Sequence, residues 1–401
     1  MSEIDYKTLS QGSALLARVT IKDVAAKAGV STATVSRVLN SLAGVDSSLE
    51  RRVRAAMQSL NYRPNRVARS LRNGLSQFIA LVVPDIRNPF FSAVANEIEG
   101  LAFERGFTVL TCNTHDDPRR ESRYLDVLTR EAVAGIIICT VDERQGHVEA
   151  QAALKNGIAV VAIDRRLENA AVDLVMSDNF GAARHAVSHL LTRGHRRIGL
   201  ITGGNEYAPA RERRLGFEQA FRDFGLDHSG LERLTDFRDT GAEQGANELL
   251  DLPDPPSAIF VASGNAAVGA MRAIARRGLK IGRDVSLLIF DDPEWAEAIN
   301  PALTTVGQDT RQIGSTALDL LMERINGSNQ PIQERRIATT FHDRESCLDL
   351  RPPEEADSYD RRVEVADGGA IHANQQDRTP PEAPSPAQGK LRARRPARQG
   401  R

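Results

Sequence analysis

Residues 19–40, VTIKDVAAKAGVSTATVSRVLN, carry two short helical patterns on either side of one glycine. Thr20 stands three residues before Asp23, the spacing at which the two residues can satisfy each other at the start of a helix. Ile21, Val24, Ala25 and Ala28 then mark one apolar face, and Gly29 ends it. Ser31 is placed to cap a second helix, in which Val35, Val38 and Leu39 turn inward. Ala33, Ser36, Arg37 and Asn40 turn outward, with Thr32 on the exposed first turn. A third pattern starts at Ser47, with Glu50 three residues on as a second capping box, and offers Leu49, Val53, Met57 and Leu60 to the same small core. Two helices joined by a glycine turn and backed by a third read as a helix-turn-helix domain. In that fold the second helix lies in the DNA major groove. There Arg37 can reach N7 and O6 of a guanine, Ala33 can pack on a thymine methyl, and Thr32, Thr34, Ser36 and Asn40 suit phosphates or base edges. Helical hairpins of ordinary α-domains imitate the pattern, so the residues beyond the third helix carry the decision.

After Asn61-Tyr62-Arg63-Pro64 comes Asn65–Leu71, NRVARSL, a capped stretch too short to hold a helix alone. Two copies meeting across a dimer axis would pack Val67, Ala68 and Leu71 in a minor groove and press the leucines between base steps. The charge distribution agrees: Arg18 to Arg72 holds eleven Lys/Arg against three acidic residues, in a chain whose net charge is −1. A basic segment in a nearly neutral chain is an electrostatic footprint for a polyanion.

Working outward, 401 residues with 41% hydrophobic and 26% charged composition suffice for two or three domains. No run has the apolar length of a signal sequence or a membrane span, so a cytoplasmic protein without membrane attachment is expected. Cys112, Cys139 and Cys347 lack paired spacing and read as core residues; no disulfide framework, metal site or cofactor is implied. From about Gln77 to Leu350, apolar runs alternate with amphipathic stretches at a βα rhythm. Phe78–Val83, Phe107–Cys112, Ile136–Thr140, Ile158–Ile163, Ile198–Thr202, Ala258–Ala262 and Val285–Phe290 each have the length of a buried parallel strand. The pattern restarts near 175, which predicts two similar doubly wound α/β lobes.

The VTIKDVAAKAGVSTATVSRVLN run, the NYRPN turn and the NRVARSL hinge together resemble the LacI/GalR (lactose-repressor) family of transcriptional regulators, and weaker similarity continues to about Leu350. The resemblance implies a homodimer on a near-palindromic double-stranded DNA operator, with Thr32, Ala33 and Arg37 at the principal base-reading positions and Leu71 at the intercalating one. Tyr62, Asn65, Arg66 and Ala68 complete the expected DNA contacts. It also implies an α/β core like that of periplasmic binding proteins, two lobes closing on a small effector. Phe90 and Phe91 fall where family ligands stack, while Arg213 and Asp291 match the family's ligand-binding arginine and aspartate. Paired charge-assisted hydrogen bonds from such groups can grip neighbouring sugar hydroxyls. Phe237 matches a cleft aromatic, Asp178 and Gln308 lie at inter-lobe crossings, and Arg165 is a further candidate. Gly264 stands at the usual aspartate position, which shifts a ligand contact toward Asn265. Tyr207 and Pro209 replace an arginine and a threonine of the purine-binding relative, favouring a carbohydrate.

The expected organisation is a disordered leader over 1–17, the helix-turn-helix headpiece over 18–63, a hinge helix and linker over 64–75, and an effector-binding and dimerisation core over 76–350. Lobe one would take about 76–175 and 306–334, lobe two about 176–305 and 335–350, and 351–401 would form a disordered tail. No nucleophile elbow, phosphate-binding glycine loop or metal-spaced His/Cys set argues for an enzyme. His185, His189 and His195 are explained by surface and capping positions. A sugar-binding module and a ligand-independent DNA-binding regulator stay open as alternatives.

Overall fold

The computed structural model describes residues 19–39, 46–62, 76–144, 147–168, 170–204, 206–235 and 238–352. The expected leader, hinge helix and nearly all of the expected tail lie outside them, as do Asn40 and Phe237. All elements discussed belong to one unit, Met1–Asp349.

The headpiece comprises α1 (Ile21–Ala28), α2 (Thr32–Leu39) and α3 (Ser47–Ser59). At the start of α1 the Asp23 carboxylate accepts from the Thr20 N–H at 2.8 Å and from its hydroxyl at 2.7 Å. Gly29 ends the helix at φ 63°, a left-handed backbone that glycine adopts without steric cost, and thereby turns the chain into α2. The Ser31 hydroxyl accepts from the Thr34 N–H at 3.1 Å. At α3 the expected cap is corrected. Asp46, not Ser47, caps the helix by accepting from the Ser48 N–H at 2.8 Å, and Glu50 pairs with Arg54 instead. A short carboxylate one residue upstream reaches the free N–H groups better than the Ser47 hydroxyl can from inside the first turn. Val24, Ala25, Ala28, Val35, Val38, Val53 and Ala56 form the buried core, flanked by Leu39, Met57, Leu60 and Tyr62.

Two six-stranded sheets come next. The first contains β1 (Phe78–Val83), β2 (Thr108–Asn113), β3 (Gly135–Ile138), β4 (Ala159–Ile163), β5 (Asp173–Ser177) and β11 (Glu334–Ile337), in the order β11-β5-β4-β3-β1-β2. Every pairing in it is parallel. The second contains β6 (Ile198–Gly203), β7 (Glu232–Thr235), β8 (Ala258–Val261), β9 (Ser286–Phe290), β10 (Thr304–Gln308) and β12 (Thr339–His342). Its order, β12-β10-β9-β8-β6-β7, repeats the first, except that β12 runs antiparallel to β10. Both faces of each sheet are covered: Ile79 and Leu81 belong to one apolar cluster and Ala80 and Val82 to another, while Phe260 and Phe290 oppose Ile259 and Ile289 in the second lobe. Burial on both faces is why the central strands read as unbroken apolar runs.

Three chain crossings join the lobes. One follows Ser177, one follows Gln308 and leads into α12 (Thr310–Ile325), and one lies between Ile337 and Thr339. β10 therefore sits in the second lobe and β11 in the first, a few residues from the expected boundaries. Ile313, Ala317, Leu318 and Leu321 of α12 pack into the first lobe against Ile79, Leu81 and Val94. β2 also departs from expectation: it is an edge strand with Leu110 38% exposed, not a buried one.

Candidate nucleic-acid interface and ligand cleft

Packing divides α2 into two faces. Val35 and Val38 hold it to the headpiece core, which leaves Thr32, Ala33 and Arg37 exposed and Thr34 and Ser36 half-buried. These five residues therefore form one surface carrying a guanidinium, hydroxyls and a methyl. Tyr62 is half-buried, rests against the same core and donates its backbone N–H to the Met57 carbonyl at 2.9 Å. Asn65, Arg66, Ala68 and Leu71 lie outside the described residues.

The second site is a cleft of about 900 Å³ lined by both lobes. Its walls are the carboxyl ends of the strands: Asp85 after β1, Asp116 after β2, Arg165 after β4, Tyr207 after β6, Ser263 after β8 and Asp291 after β9. Open parallel sheets bind ligands at these ends, where helix N-termini and loop side chains converge. Phe90 and Phe91 open α4 (Pro89–Glu104), which the Asn88 side chain caps by accepting from the Phe90 N–H. The two rings meet edge-on at 5.1 Å and are mostly spent on the first lobe's core, presenting only margins to the cleft.

Arg213 projects from α8 (Ala208–Asp223) and is 5% exposed. Its Nε donates to Asn179 Oδ1 at 2.8 Å, a terminal nitrogen donates to the Ala262 carbonyl at 2.7 Å, and the guanidinium lies 3.5 Å over the Phe290 ring. Burial lowers its pKa, and the charges of Asp291 and Asp164 pull it back up. Asp291 has φ 74°, a left-handed conformation uncommon for a residue with a Cβ, which turns its carboxylate out of the strand direction into the cleft. It accepts from the Gly264 N–H at 2.8 Å and from Gln308 Nε2 at 2.5 Å. Gln308 in turn accepts from the Ser177 hydroxyl at 2.6 Å, so it ties Asp291 to the end of β5 in the other lobe. A Cβ on Gly264 would lie 2.9 Å from the Asp291 Cβ, so the glycine makes room for this carboxylate. Asn265 follows it into the cleft lining.

Arg165 is buried, donates to the Thr140 carbonyl at 3.1 Å and lies 4.0 Å over the Tyr207 ring across the cleft. Asp178 has a different place. It caps α7 (Asn179–Thr192) by accepting from the Gly181 N–H and is absent from the cleft lining, because a carboxylate at that first turn is drawn to the free helix N–H groups.

The structure adds a residue that the sequence reading missed. Asp164, at φ 61° after β4, is the first-lobe counterpart of Asp291 after β9 and likewise lines the cleft. Burial raises its pKa, opposed by the neighbouring charges of Arg165 and Arg213. An aspartate at equivalent strand ends of the two repeats, AID and IFD, was the available signal.

Other expectations resolve outside the site. His195 is fully buried rather than a surface group, with Nδ1 2.7 Å from the Ser257 hydroxyl and Nε2 3.2 Å from the Leu348 carbonyl. Its ring thus anchors the chain's return near β12, a role its neighbours in sequence did not reveal. Cys139 and Cys347 are buried, whereas Cys112 on edge strand β2 is half-buried.

Comparison with known proteins matches both parts. Residues 20–65 fit the model of bacterial regulatory proteins of the lacI family, and residues 187–347 fit that of a periplasmic binding protein-like domain. The ribose operon repressor of Escherichia coli (strain K12) is 33% identical over 323 residues, covering 80% of this chain and 97% of its own. The HTH-type transcriptional repressor PurR of Photobacterium profundum is 32% identical over 319 residues, covering 79% and 94%. Among solved structures, the lac repressor dimer bound to operator and the anti-inducer ONPF is 29% identical with a TM-score of 0.74, over 82% of this chain and 99% of that one. A LacI family transcriptional regulator from Enterococcus faecium with bound ribose is 30% identical with a TM-score of 0.63, over 68% and 100%. With an exposed recognition helix on a three-helix headpiece, a two-lobed core behind it, and this similarity running through both, the chain belongs to the lacI family of bacterial regulatory proteins.

Proposed function

We propose that the protein is a homodimeric, sequence-specific transcriptional repressor whose operator affinity is set by a small sugar-like effector. The observation that carries the reading is the division of α2, whose apolar face is used by the headpiece core while Thr32, Ala33 and Arg37 stand free of it for base edges. Arg37 takes a guanine and the small side chains take neighbouring bases, with Thr34, Ser36, Asn40 and Tyr62 on the backbone. Asn65, Arg66, Ala68 and Leu71 form the minor-groove hinge of the dimer. A repressor acts where the DNA is, in the cytoplasm. Among the described residues no helix is long and apolar enough to cross a membrane.

The effector sits in the cleft. Arg213, Asp291 and Asn265 from the second lobe and Phe90, Phe91, Asp164 and Arg165 from the first supply opposed polar groups and apolar margins for a polyhydroxylated ring, and Phe237 and Gln308 complete the site. Similar structures, one a cellobiose complex and one with bound ribose, support a sugar. Tyr207 and Pro209 at the cleft, where the resemblance places an arginine and a threonine in a purine-binding relative, oppose a purine. Because the relatives are repressors, the enzyme alternative falls. Lobe closure changes the spacing of the two hinge segments and so their ability to fold in the minor groove. An effector does this only if it binds the two states unequally.

The test is to select a DNA site from a random pool with the full-length protein and to screen monosaccharides by thermal shift. Enrichment of a near-palindrome and a melting temperature raised by a sugar are expected. A pool without enriched sequence would remove the sequence-specific reading, and a screen without any shift would remove the sugar.

A further inference from the structure

The first turns of α8, a helix of the second lobe, are held by the first lobe. Ala208 is 1% exposed and belongs to the first lobe's apolar cluster with Val82, Ile138 and Leu167. Its N–H donates at 2.9 Å to the carboxylate of Glu143, on the loop after β3. The same oxygen accepts from the Arg166 N–H at 3.1 Å, and the other accepts from the Arg211 guanidinium at 2.9 Å. The Glu143 carbonyl in turn accepts from the Glu168 N–H at 2.9 Å, which fixes its loop against the segment after β4. One residue beyond Arg211, Glu212 takes two bonds of 2.7 and 2.8 Å from Arg336 of β11. Arg336 also donates to Glu334 at 3.0 Å, and Glu334 takes two bonds of 2.7 Å from Arg166. The series Arg211, Glu143, Arg166, Glu334, Arg336, Glu212 therefore starts and ends on adjacent residues of one lobe and passes through three segments of the other.

An isolated exposed ion pair contributes little, and the contact between Arg238 and Asp116 across the cleft mouth, exposed and 3.9 Å long, is of that kind. The α8 network differs in two ways. The Glu143 side chain is 0% exposed, so parting the lobes would strip a buried carboxylate of its guanidinium and of a helix N–H at once. The pairs of Arg336 with Glu212 and of Arg166 with Glu334 are two-pronged, the geometry in which ion pairs are strongest. The network also borders the cleft. Glu143 bridges the residues next to Arg165 and Tyr207, whose side chains stack at 4.0 Å between the lobes, and Arg213 follows Glu212 on the same turn.

We infer that this network is a latch that keeps the two lobes closed in the ligand-free protein, with Glu143 its buried bolt and the pair of Glu212 with Arg336 its outer clasp. Ligand exchange at the cleft then waits on opening of the latch. The inference goes beyond the sugar reading and does not depend on which ligand the cleft takes.

The experiment is hydrogen exchange, read by mass spectrometry on the full-length protein with no ligand added. The loops at residues 85–92 and 263–268 report lobe opening, since they line the cleft from opposite lobes and lie outside the latch. Strands β1 and β9, buried within the lobes, report global unfolding. Glu143→Ala should raise exchange in both loops at least about tenfold while β1 and β9 stay at wild-type rates, because opening is a minor state in wild type and the variant removes the bolt. Arg336→Met, at a half-exposed position, should raise it about threefold or more. The two changes together should fall short of the product of the single effects, since both act on one network. Faster exchange confined to residues 141–144, 166–168 and 208–212 in a folded Glu143→Ala protein overturns the latch, and so does a rise in β1 and β9 equal to that in the loops. Should Glu143→Ala fail to fold, Arg336→Met decides alone: wild-type exchange in both loops overturns the inference.

Discussion

Arg213→Met removes the guanidinium at the heart of the cleft and keeps most of its apolar stem. Two buried acceptors lose a donor, the Asn179 side-chain oxygen at 2.8 Å and the Ala262 carbonyl at 2.7 Å. Each unsatisfied buried group costs about 1–3 kcal/mol. The stacking of the guanidinium 3.5 Å over Phe290 is lost too. Against these stands relief of the burial penalty that lowers the pKa of Arg213. A net destabilisation of about 2–4 kcal/mol results, which at roughly 2–4 °C per kcal/mol lowers the melting temperature by about 4–16 °C. The loss of a charge-assisted bond to an effector hydroxyl costs about 1.5–3 kcal/mol more in binding, or about 10- to 150-fold in affinity. Scanning calorimetry reads the first effect and titration with the sugar that raises the wild-type melting temperature reads the second. Operator affinity without effector, measured at fixed salt, should stay within about twofold, because Arg213 touches only the core. Unchanged effector affinity in a folded Arg213→Met protein would refute the placement of the ligand against this residue.

Three further outcomes are expected. Arg37→Ala should cost about 1–3 kcal/mol of operator binding per half-site and relax preference at one base pair, with the salt slope unchanged; a slope reduced by about one per half-site with preference intact would make Arg37 a phosphate contact. Val53 is fully buried in the headpiece core. Val53→Ala removes two methyl groups and leaves a cavity, about 2–3 kcal/mol, from a headpiece whose whole stability is about 2–6 kcal/mol at the usual per-residue value. Operator binding should then fail at lower temperature than in wild type while effector affinity holds, and a parallel loss of both would contradict the separation of the two sites. His195 has its pKa lowered from 6.5 to about 4, first by burial. Its neutral form is favoured by folding, so the stability it supplies is full above pH 6.5 and is lost as pH falls toward 4. Urea midpoints across that window should fall more steeply for wild type than for His195→Asn, and parallel slopes would remove the assignment.

What the sequence disclosed depends on where its information lies. Val24, Val35, Val38 and Val53 were legible because a three-helix core repeats at helical spacing, and β1, β4, β6, β8 and β9 were legible because strands buried on both faces are continuous apolar runs. β7 and β11 escaped notice as polar segments, ERLT and ERRI. β5 and β10 hide buried polar groups whose partners are distant in sequence: Asp173 pairs with Arg324, and Thr305 donates to Asp292. The same limit applies to the cleft. Arg213 and Asp291 came through family resemblance, whereas Asp164 needed the strand-end backbone at φ 61°. Asp178 looked like a ligand contact from its crossing position, and only the geometry of α7 shows it serving as a cap.

If the protein is a regulator, the cleft and the recognition helix are coupled within one molecule. The direct measurement is a thermodynamic box: operator affinity of the full-length protein with and without saturating effector, and effector affinity with and without saturating operator, at one salt concentration. The two ratios should agree and lie between about 5- and 150-fold, a coupling of about 1–3 kcal/mol. Operator affinity that stays the same at saturating effector would contradict it and leave a DNA-binding protein with an uncoupled sugar cleft.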